Sequence, residues 1–396
     1  MNDSALSNRS FLTYLIGSTV SLHGVWVYRV ALGWFTWDLT ASELWVGIVA
    51  FTQFAPAVVF GPLFGVLVDR FDRRKASILI NALSAINISV LGVLTWFGFV
   101  DIVVLATQSL VQGALDGANT PIRMTLVPSL VKKEQLHSAI ASSSISFNVS
   151  RFIGPAIAGF IIVTFGVSVA FLLTGVSYLS VITAVLLVRV RPVAERSQQA
   201  SHVLHQLVAG VRYVVAHRTI RDLLMSVAVA SVFGRGALEM MPAFADAVFE
   251  RGSSGLATLT AAIGIGAIVS GLLLSRNTSW LTGKVVRLAV AGAGVLVAIF
   301  GANSEFWIAV PLVAVMGLIL SLCGVGSQIL IQTLVEENVR GRVSSLWGMI
   351  AFGGTALGSL LVGSTADVFG LQGTVIVTGL LCAAIALLAP AEPASD

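Results

Sequence analysis

The sequence predicts an all-α integral membrane protein with twelve transmembrane helices in two six-helix, pseudo-symmetric halves. Of its 396 residues, 56% are hydrophobic and only 11% are charged, whereas a soluble domain has roughly 25% charged residues. The apolar residues also form long blocks, and a helix needs about 20 such residues to cross a bilayer. A membrane β-barrel would instead require strands of about 10 residues with alternating polarity.

Twelve apolar blocks follow one another, separated into two groups by one long polar stretch. The first six cover 11–37, 44–67, 76–98, 101–124, 136–165 and 167–188. The last six cover 221–248, 255–275, 285–302, 306–334, 343–366 and 371–389. We therefore predict halves at 1–188 and 220–396, joined by a cytoplasmic linker at 189–219. Apolar residues at helical spacing from His202 to His217 predict an amphipathic helix within this linker.

The positions of arginine and lysine in the loops predict the orientation, because cytoplasmic loops carry an excess of both. Nearly all loop cations follow the even-numbered helices, and the opposite side holds only Arg251. Those on the predicted cytoplasmic side include Arg70, Arg73, Arg74, Lys75, Lys132, Lys133, Arg189, Arg191, Arg196, Arg276, Lys284, Arg340 and Arg342. Both termini are thus expected in the cytoplasm.

The net charge of +4 follows from these loop cations, so no nucleic-acid partner is expected. Cys323 and Cys382 both fall in apolar blocks. Their separation fits neither a disulfide framework nor a metal-binding motif, and we interpret them as small buried side chains.

Three pairs of similar segments indicate an internal duplication. The stretch RVAL at Arg29–Leu32 matches RGAL at Arg235–Leu238, and GVLVDR matches GLLLSR further along. The segment ending at Gly166 aligns in the same way with the one ending at Gly370. The three matches occur in order at nearly constant offsets close to half the chain. Duplicated helical halves are typical of secondary transporters, which bind their substrate between the repeats.

The loop after the second block, GVLVDRFDRR, resembles the loop signature of the major facilitator superfamily, and the resemblance to that superfamily extends along essentially the whole chain. The matching residues are Gly65, Asp69, Arg70, Arg73 and Arg74, while Asp72 stands where glycine is usual. A carboxylate set among cations at a helix end can form a latch that breaks between conformations. The alternative is a charge run that only sets topology.

The fifth block contains GPAIAG, which is similar to the motif of drug and metabolite antiporters. Gly154, Pro155 and Gly159 match that motif, with Ala158 in place of a glycine. The stretches NTPIRMTLVPSLV and WVYRVALGWFTWDLTAS resemble the subgroup of macrolide-type drug exporters and siderophore exporters. Ser109 replaces the arginine expected in the fourth helix, so the resemblance implies no proton relay through an arginine there.

Five charged residues lie inside the predicted membrane spans and away from their ends; a charge costs about 2.5–3.5 kcal/mol at mid-helix on insertion scales. They are Arg29, Asp116, Arg151, Arg235 and Glu239. Asp116 and Arg151 lie at similar depth from the outer surface of the membrane and could form an ion pair. That pair could be purely structural, or it could take part in the coupling of transport to protons. Glu239 lies four residues after Arg235 and has no counterpart in the first half. We expect it to be the proton-coupling residue, with a neutralised structural pair as the alternative.

Further polar and aromatic residues could contact a substrate, although each is more often an interhelical hydrogen-bonding or packing residue. The candidates are His23, Trp26, Gln108, Gln112 and Asn119. Tyr28, Trp34 and Trp37 could also stack on an aromatic substrate. The last two equally suit an aromatic belt at the membrane interface.

These observations together predict a monomeric proton antiporter of the bacterial inner membrane that exports a small amphipathic molecule, of the drug or siderophore kind. Protons, the substrate and the lipid bilayer are the expected partners, and no cofactor or metal is expected. An importer or lipid flippase on the same scaffold is the first alternative, and a non-transporting scaffold or receptor the second. An enzyme is least favoured, because the sequence contains no HExxH, GxSxG or complete Walker A motif.

The predicted orientation can be tested with a single cysteine placed in the long polar stretch. In a cysteine-free background, Ala200→Cys should react with a membrane-impermeant thiol reagent only after the cells are opened. Labelling of intact cells from outside would contradict the predicted orientation.

Overall fold

The computed structural model describes residues 4–68, 72–188 and 203–388. All of the regular secondary structure within these ranges is helical. The helices of the first half are α1 (Arg9–Thr40), α2 (Glu43–Val68), α3 (Arg73–Trp96), α4 (Ile102–Leu130), α5 (Leu136–Phe165) and α6 (Val167–Leu187). Helix α7 (Val203–Ala216) follows, in the stretch for which the sequence predicts an amphipathic helix.

The next membrane-length segment, Arg218–Val248, is interrupted, and we call it the seventh span. It comprises α8 (Arg218–Val229), a π-helical turn (Ala230–Arg235), α9 (Gly236–Leu238), α10 (Met241–Ala243) and a second π-helical turn (Phe244–Val248). The remaining helices are α11 (Gly252–Arg276), α12 (Gly283–Ala302), α13 (Phe306–Leu334), α14 (Glu337–Phe369) and α15 (Leu371–Leu388).

Among the described residues, ten helical segments are long and apolar enough to cross a membrane. Helices α1 and α4 have 32 and 29 residues, more than a bilayer requires, but they carry more polar side chains. With these two, the described residues contain twelve membrane-length segments. The predicted all-α membrane fold is therefore confirmed.

Equivalent turns in the two halves support the duplication. Gly166 is the single residue between α5 and α6, and its φ is 85°. Gly370 occupies the same position between α14 and α15, with φ 86°. Because side chains other than hydrogen disfavour positive φ, glycine permits these sharp connections. The two glycines are the same pair that the sequence alignment matched.

The described helices form two compact units. The first contains Met1–Phe35 and Pro56–Ala200, and the second contains Thr36–Ala55 and Ser201–Asp396. The end of α1 and the first half of α2 thus group with the second unit rather than with the rest of the N-terminal helices. Close contact with α14 explains this grouping, since a Cβ at Gly47 would lie 2.5 Å from the carbonyl oxygen of Ser359 and 3.2 Å from the Cα of Gly363.

Glycines allow several helix pairs inside each unit to approach closely, as is common between membrane helices. In the second unit, a Cβ at Gly266 of α11 would collide with the carbonyl of Ala314, and one at Gly317 of α13 would collide with Ile263. A Cβ at Gly294 of α12 would lie 2.5 Å from the backbone nitrogen of α15 residue Ala383. These positions fix the separation of α11 from α13 and of α12 from α15.

Part of the predicted cytoplasmic latch lies outside the described residues, namely Asp69 and Arg70. Gly65 lies within α2. Arg73 and Arg74 open α3, and the guanidinium of Arg74 donates a hydrogen bond to the carbonyl of Leu186. The latch therefore remains a prediction.

We predict that Gly266→Val lowers the thermal stability of the purified protein, because the new side chain would force α11 and α13 apart. Overpacking of this kind costs about 1–3 kcal/mol. Gly271→Val is the matched control, since Gly271 lies on the same helix and a Cβ there meets nothing within 4 Å. Equal losses of melting temperature in the two variants would contradict the assignment of Gly266 to a close contact between α11 and α13.

Candidate functional site

A cluster of polar side chains from α3, α4 and α6 surrounds Asp116 inside the first unit. Gln112 lies one turn before it on α4, and its Nε2 donates to Asp116 Oδ1 at 3.0 Å and to the hydroxyl of Tyr178 at 3.3 Å. Asn87 Nδ2 in turn donates to Gln112 Oε1 at 3.3 Å. Gln112 and Tyr178 are almost completely buried. The carboxylate of Asp116 is therefore held by neighbours that are themselves hydrogen-bonded, which we call the Asp116 cluster.

Arg29 of α1 interacts electrostatically with the Asp116 carboxylate. The Arg29 guanidinium carbon also lies 4.7 Å from the ring centroid of Trp26. The guanidinium carbon of Arg151 lies 5.7 Å from the same ring. Cations within about 6 Å of an indole face are attracted by its quadrupole. Trp26 therefore connects the two arginines, and Arg29 connects Trp26 to Asp116.

The glycine–proline motif of α5 lies against the same indole. A Cβ at Gly154 would collide with the Cβ of Trp26. Gly154, Pro155 and Gly159 are all buried, and α5 continues as a helix through Pro155. The motif thus lets α1 and α5 approach closely where Trp26 and Arg151 meet.

His23 and Asn119 make interhelical hydrogen bonds of their own. The Nδ1 atom of His23 lies 2.7 Å from the carbonyl of Thr19 and 3.2 Å from the hydroxyl of Ser150 on α5. Asn119 Nδ2 donates to Asn81 Oδ1 on α3 at 3.5 Å. The backbone carbonyl of Gln108 accepts from the Asn87 side chain at 3.3 Å, which places Gln108 beside the Asp116 cluster.

The seventh span of the second unit places Arg235 and Glu239 around a break in its helix. The first π-helical turn ends at Arg235, and regular helix resumes for only one turn. The backbone N–H of Glu239 then donates to the carbonyl of Gly236 at 3.3 Å, three residues back instead of four. Arg235 and Glu239 interact electrostatically, as the sequence suggested. Breaks with π-helical turns are frequent at functional sites.

Helix α13 makes room for the guanidinium of Arg235, and α14 packs closely against the π-helical turn that precedes it. A Cβ at Gly324 of α13 would lie 2.5 Å from Arg235 Nη2. Arg235 also lines a small cavity of about 10 Å³, together with Ser231, Cys323 and Trp347. A cavity of this size holds about one water molecule. On the other side, a Cβ at Gly358 of α14 would collide with the backbone of the π-helical turn, so no larger side chain fits there.

A second carboxylate of the seventh span forms a contact that the sequence did not indicate. Asp246 Oδ2 accepts a 2.9 Å hydrogen bond from the indole nitrogen of Trp37. Trp37 is only 5% exposed and Trp34 only 9%. Assigning these two tryptophans to an aromatic belt at the membrane interface is therefore wrong, because belt residues face the lipid headgroups.

Sequence reasoning also missed Tyr178 and Asn87, the two residues that complete the Asp116 cluster. A tyrosine and an asparagine in the middle of otherwise apolar blocks were the available signals. Neither signal specifies a partner, because the partner comes from another helix. Within the described residues, no group of three or more histidine, cysteine, aspartate or glutamate side chains could hold a metal ion.

Twelve membrane-length helices, a duplicated plan and charged clusters inside both units define a membrane transporter of the major facilitator type. The sequence matches the family described as transmembrane secretion effector over residues 3–393. The chain belongs to this family, and it is a multi-pass transporter, not an enzyme.

Characterised relatives align along most of the chain. The staphyloferrin A transporter of Staphylococcus aureus is 25% identical over 380 residues, which cover 94% of this chain and 91% of the relative. The multidrug efflux pump Tap of Mycolicibacterium fortuitum is 25% identical over 364 residues, which cover 89% of this chain and 88% of the relative. A crystal structure of a bacterial homologue of the human lysosomal transporter Spinster has a TM-score of 0.73 at 16% identity, with 96% of both chains covered. The last comparison supports the fold alone.

We predict energetic coupling between Arg29 and Asp116. Arg29→Gln and Asp116→Asn should each destabilise the protein, because each leaves a charge in the membrane without its counter-charge. The double variant should be less destabilised than the sum of the two, by about 0.5–3 kcal/mol. Thermal unfolding of the four proteins in one detergent measures this coupling.

A second double-mutant cycle pairs Asp116 with Arg151 instead of Arg29, because the sequence suggested Arg151 as the partner of Asp116. We expect a smaller coupling for Arg151→Gln with Asp116→Asn. A coupling with Arg151 that equals or exceeds the one with Arg29 would contradict the assignment of Arg29 as the counter-charge.

Proposed function

We propose that this transporter exports small amphipathic molecules, of the drug or siderophore kind, by proton antiport with alternating access. The observation that carries the proposal is the electrostatic interaction of Arg235 with Glu239 at the break of the seventh span. The chain also aligns along nearly its whole length with a siderophore transporter and a multidrug efflux pump. The proposed location is the bacterial inner membrane, with both termini in the cytoplasm. The proposed form is a monomer without a nucleic-acid partner.

Glu239 is the proposed proton-coupling residue. It is partly buried and lies beside a guanidinium at a point where the helix is irregular. Burial disfavours a carboxylate and a nearby arginine favours it, so its protonation can follow changes in water access or in the position of Arg235.

The residues around Trp26 are the proposed substrate contacts of the first unit. An indole flanked by two guanidinium groups offers an apolar face next to positive charge. An amphipathic molecule with aromatic and anionic groups can use both, by stacking on the ring and by pairing with an arginine. Gln108, Gln112 and Asn119 of α4 are further proposed contacts, because they carry amide groups that can bind polar substituents.

We expect Glu239→Gln to retain substrate binding and substrate exchange but to lose uphill export driven by a pH gradient. The amide preserves the shape of the side chain and removes the titrating group. Iron-free staphyloferrin A, iron-free enterobactin and a macrolide are suitable test compounds, given the substrates that the relatives' names specify. The primary measurement is proton release on substrate addition to the purified protein in detergent.

Asp246→Asn is the matched control, because it removes another carboxylate from the same span. Proton release should vanish in Glu239→Gln and persist in Asp246→Asn. Equal release from wild type and Glu239→Gln would move the coupling role to Asp116. Uptake into membrane vesicles of known orientation under an imposed pH gradient separates export from import.

A further inference from the structure

Helix α7 has two apolar faces along residues 208–216, and the residues that the structure describes cover only one of them. Gly210 packs against α14, where its Cβ would lie 3.2 Å from both the Cβ of Arg342 and a methyl group of Leu346. Tyr213 and Val214, on the same side of α7, pack against the buried cluster that contains Ile220. This face fixes the helix on the second unit.

The opposite face of α7 carries three exposed valines. Val208, Val211 and Val215 are spaced three and four residues apart, so they share one side of the helix. They remain 50%, 47% and 60% exposed. Together with Arg212 and Ala216 they line a shallow apolar groove. We call this surface the valine strip.

The short connection between α7 and the seventh span determines the position of α7 relative to the bilayer. Only His217 separates α7 from Arg218, the first residue of the seventh span. Three residues of chain, about 11 Å at most, therefore connect Val215 to the start of a membrane-crossing segment. The valine strip thus lies at the level where the hydrocarbon of one leaflet meets its headgroups. In the orientation that the loop charges predict, that leaflet is the cytoplasmic one.

The charges beside the strip favour anionic lipid. Arg212 is exposed within the groove. Arg218 and Arg221 are each about half exposed and share one carboxylate, that of Asp222, at 3.7 and 3.6 Å. The surface therefore has an excess of positive charge next to its valines, which is the pattern of helices that bind an anionic membrane surface.

We propose that the valine strip binds the cytoplasmic leaflet, with Val208, Val211 and Val215 in the upper acyl region and Arg212 on anionic phospholipid headgroups. The lipid then anchors α7 on one side while α14 holds it on the other. The connection between the two halves is consequently fastened to the membrane as well as to the second unit. This proposal requires that the seventh span crosses the bilayer in the predicted orientation, and not that the protein exports.

The test places a bimane fluorophore at Val211→Cys or Val215→Cys in the full-length protein, with both native cysteines replaced by alanine, in lipid nanodiscs. Leu381→Cys, on the exposed side of α15, is the lipid-facing reference, and Ser279→Cys, in an exposed polar turn, is the water-facing reference. We expect brominated lipids to quench the strip positions as they quench Leu381→Cys, with little quenching by aqueous iodide. Iodide quenching as strong as at Ser279→Cys would overturn the proposal. Weak quenching by both reagents would also overturn it, because protein, such as a second copy of the chain, would then cover the strip.

The second arm tests the headgroup contact at the Val215→Cys position. The ratio of bimane quenching by brominated phosphatidylglycerol to quenching by brominated phosphatidylcholine reports the local lipid preference. We expect this preference to fall roughly fivefold in Arg212→Gln, the change expected for one arginine at an anionic surface. Arg276→Gln, which removes an exposed arginine at the end of α11, should leave the preference unchanged. Equal effects of the two substitutions, or none, would contradict the role of Arg212.

Discussion

The hydrocarbon core of a membrane offers no hydrogen bonds and no counter-ions, and this constraint governs the whole structure. Backbone groups must be satisfied within helices, which explains a chain built entirely of helices across its described residues. Charged side chains must find partners inside the protein. Arg29 interacts electrostatically with Asp116 in the first unit, and Arg235 interacts electrostatically with Glu239 in the second.

Around these charges, close packing between helices is combined with irregular helix geometry in the seventh span. Glycines bring α11 onto α13 and α14 onto the seventh span, with no room for a methyl group. The seventh span itself contains two π-helical turns and a break at Glu239. A helix that is packed tightly by its neighbours but broken at its charged residues can shift those residues without unfolding. We regard this combination as the physical basis of the coupling that we propose between a proton and a substrate.

The sequence predicted the class of fold because helix length and hydropathy are local properties. It also identified the charged residues, since each stands out in an apolar block. It suggested the partner of Arg235, because Glu239 lies one turn further along the same segment. It could not suggest Tyr178, Asn87 and Trp37, because these approach from helices distant in the chain. The break at Glu239 had only weak signals in Gly234, Gly236 and Pro242, as glycines in membrane helices more often mark close packing. The grouping of Thr36–Ala55 with the second unit depends on contacts of Gly47 that no local pattern reveals.

The central claim is that substrate and protons move in opposite directions through one protein. Proteoliposomes loaded with substrate and a pH-sensitive dye, and then diluted into substrate-free buffer of equal pH, test it most directly. As substrate leaves, antiport predicts that protons enter and the lumen acidifies in proportion to the substrate lost. A lumen that stays at constant pH during substrate efflux, or one that becomes alkaline, would contradict the account.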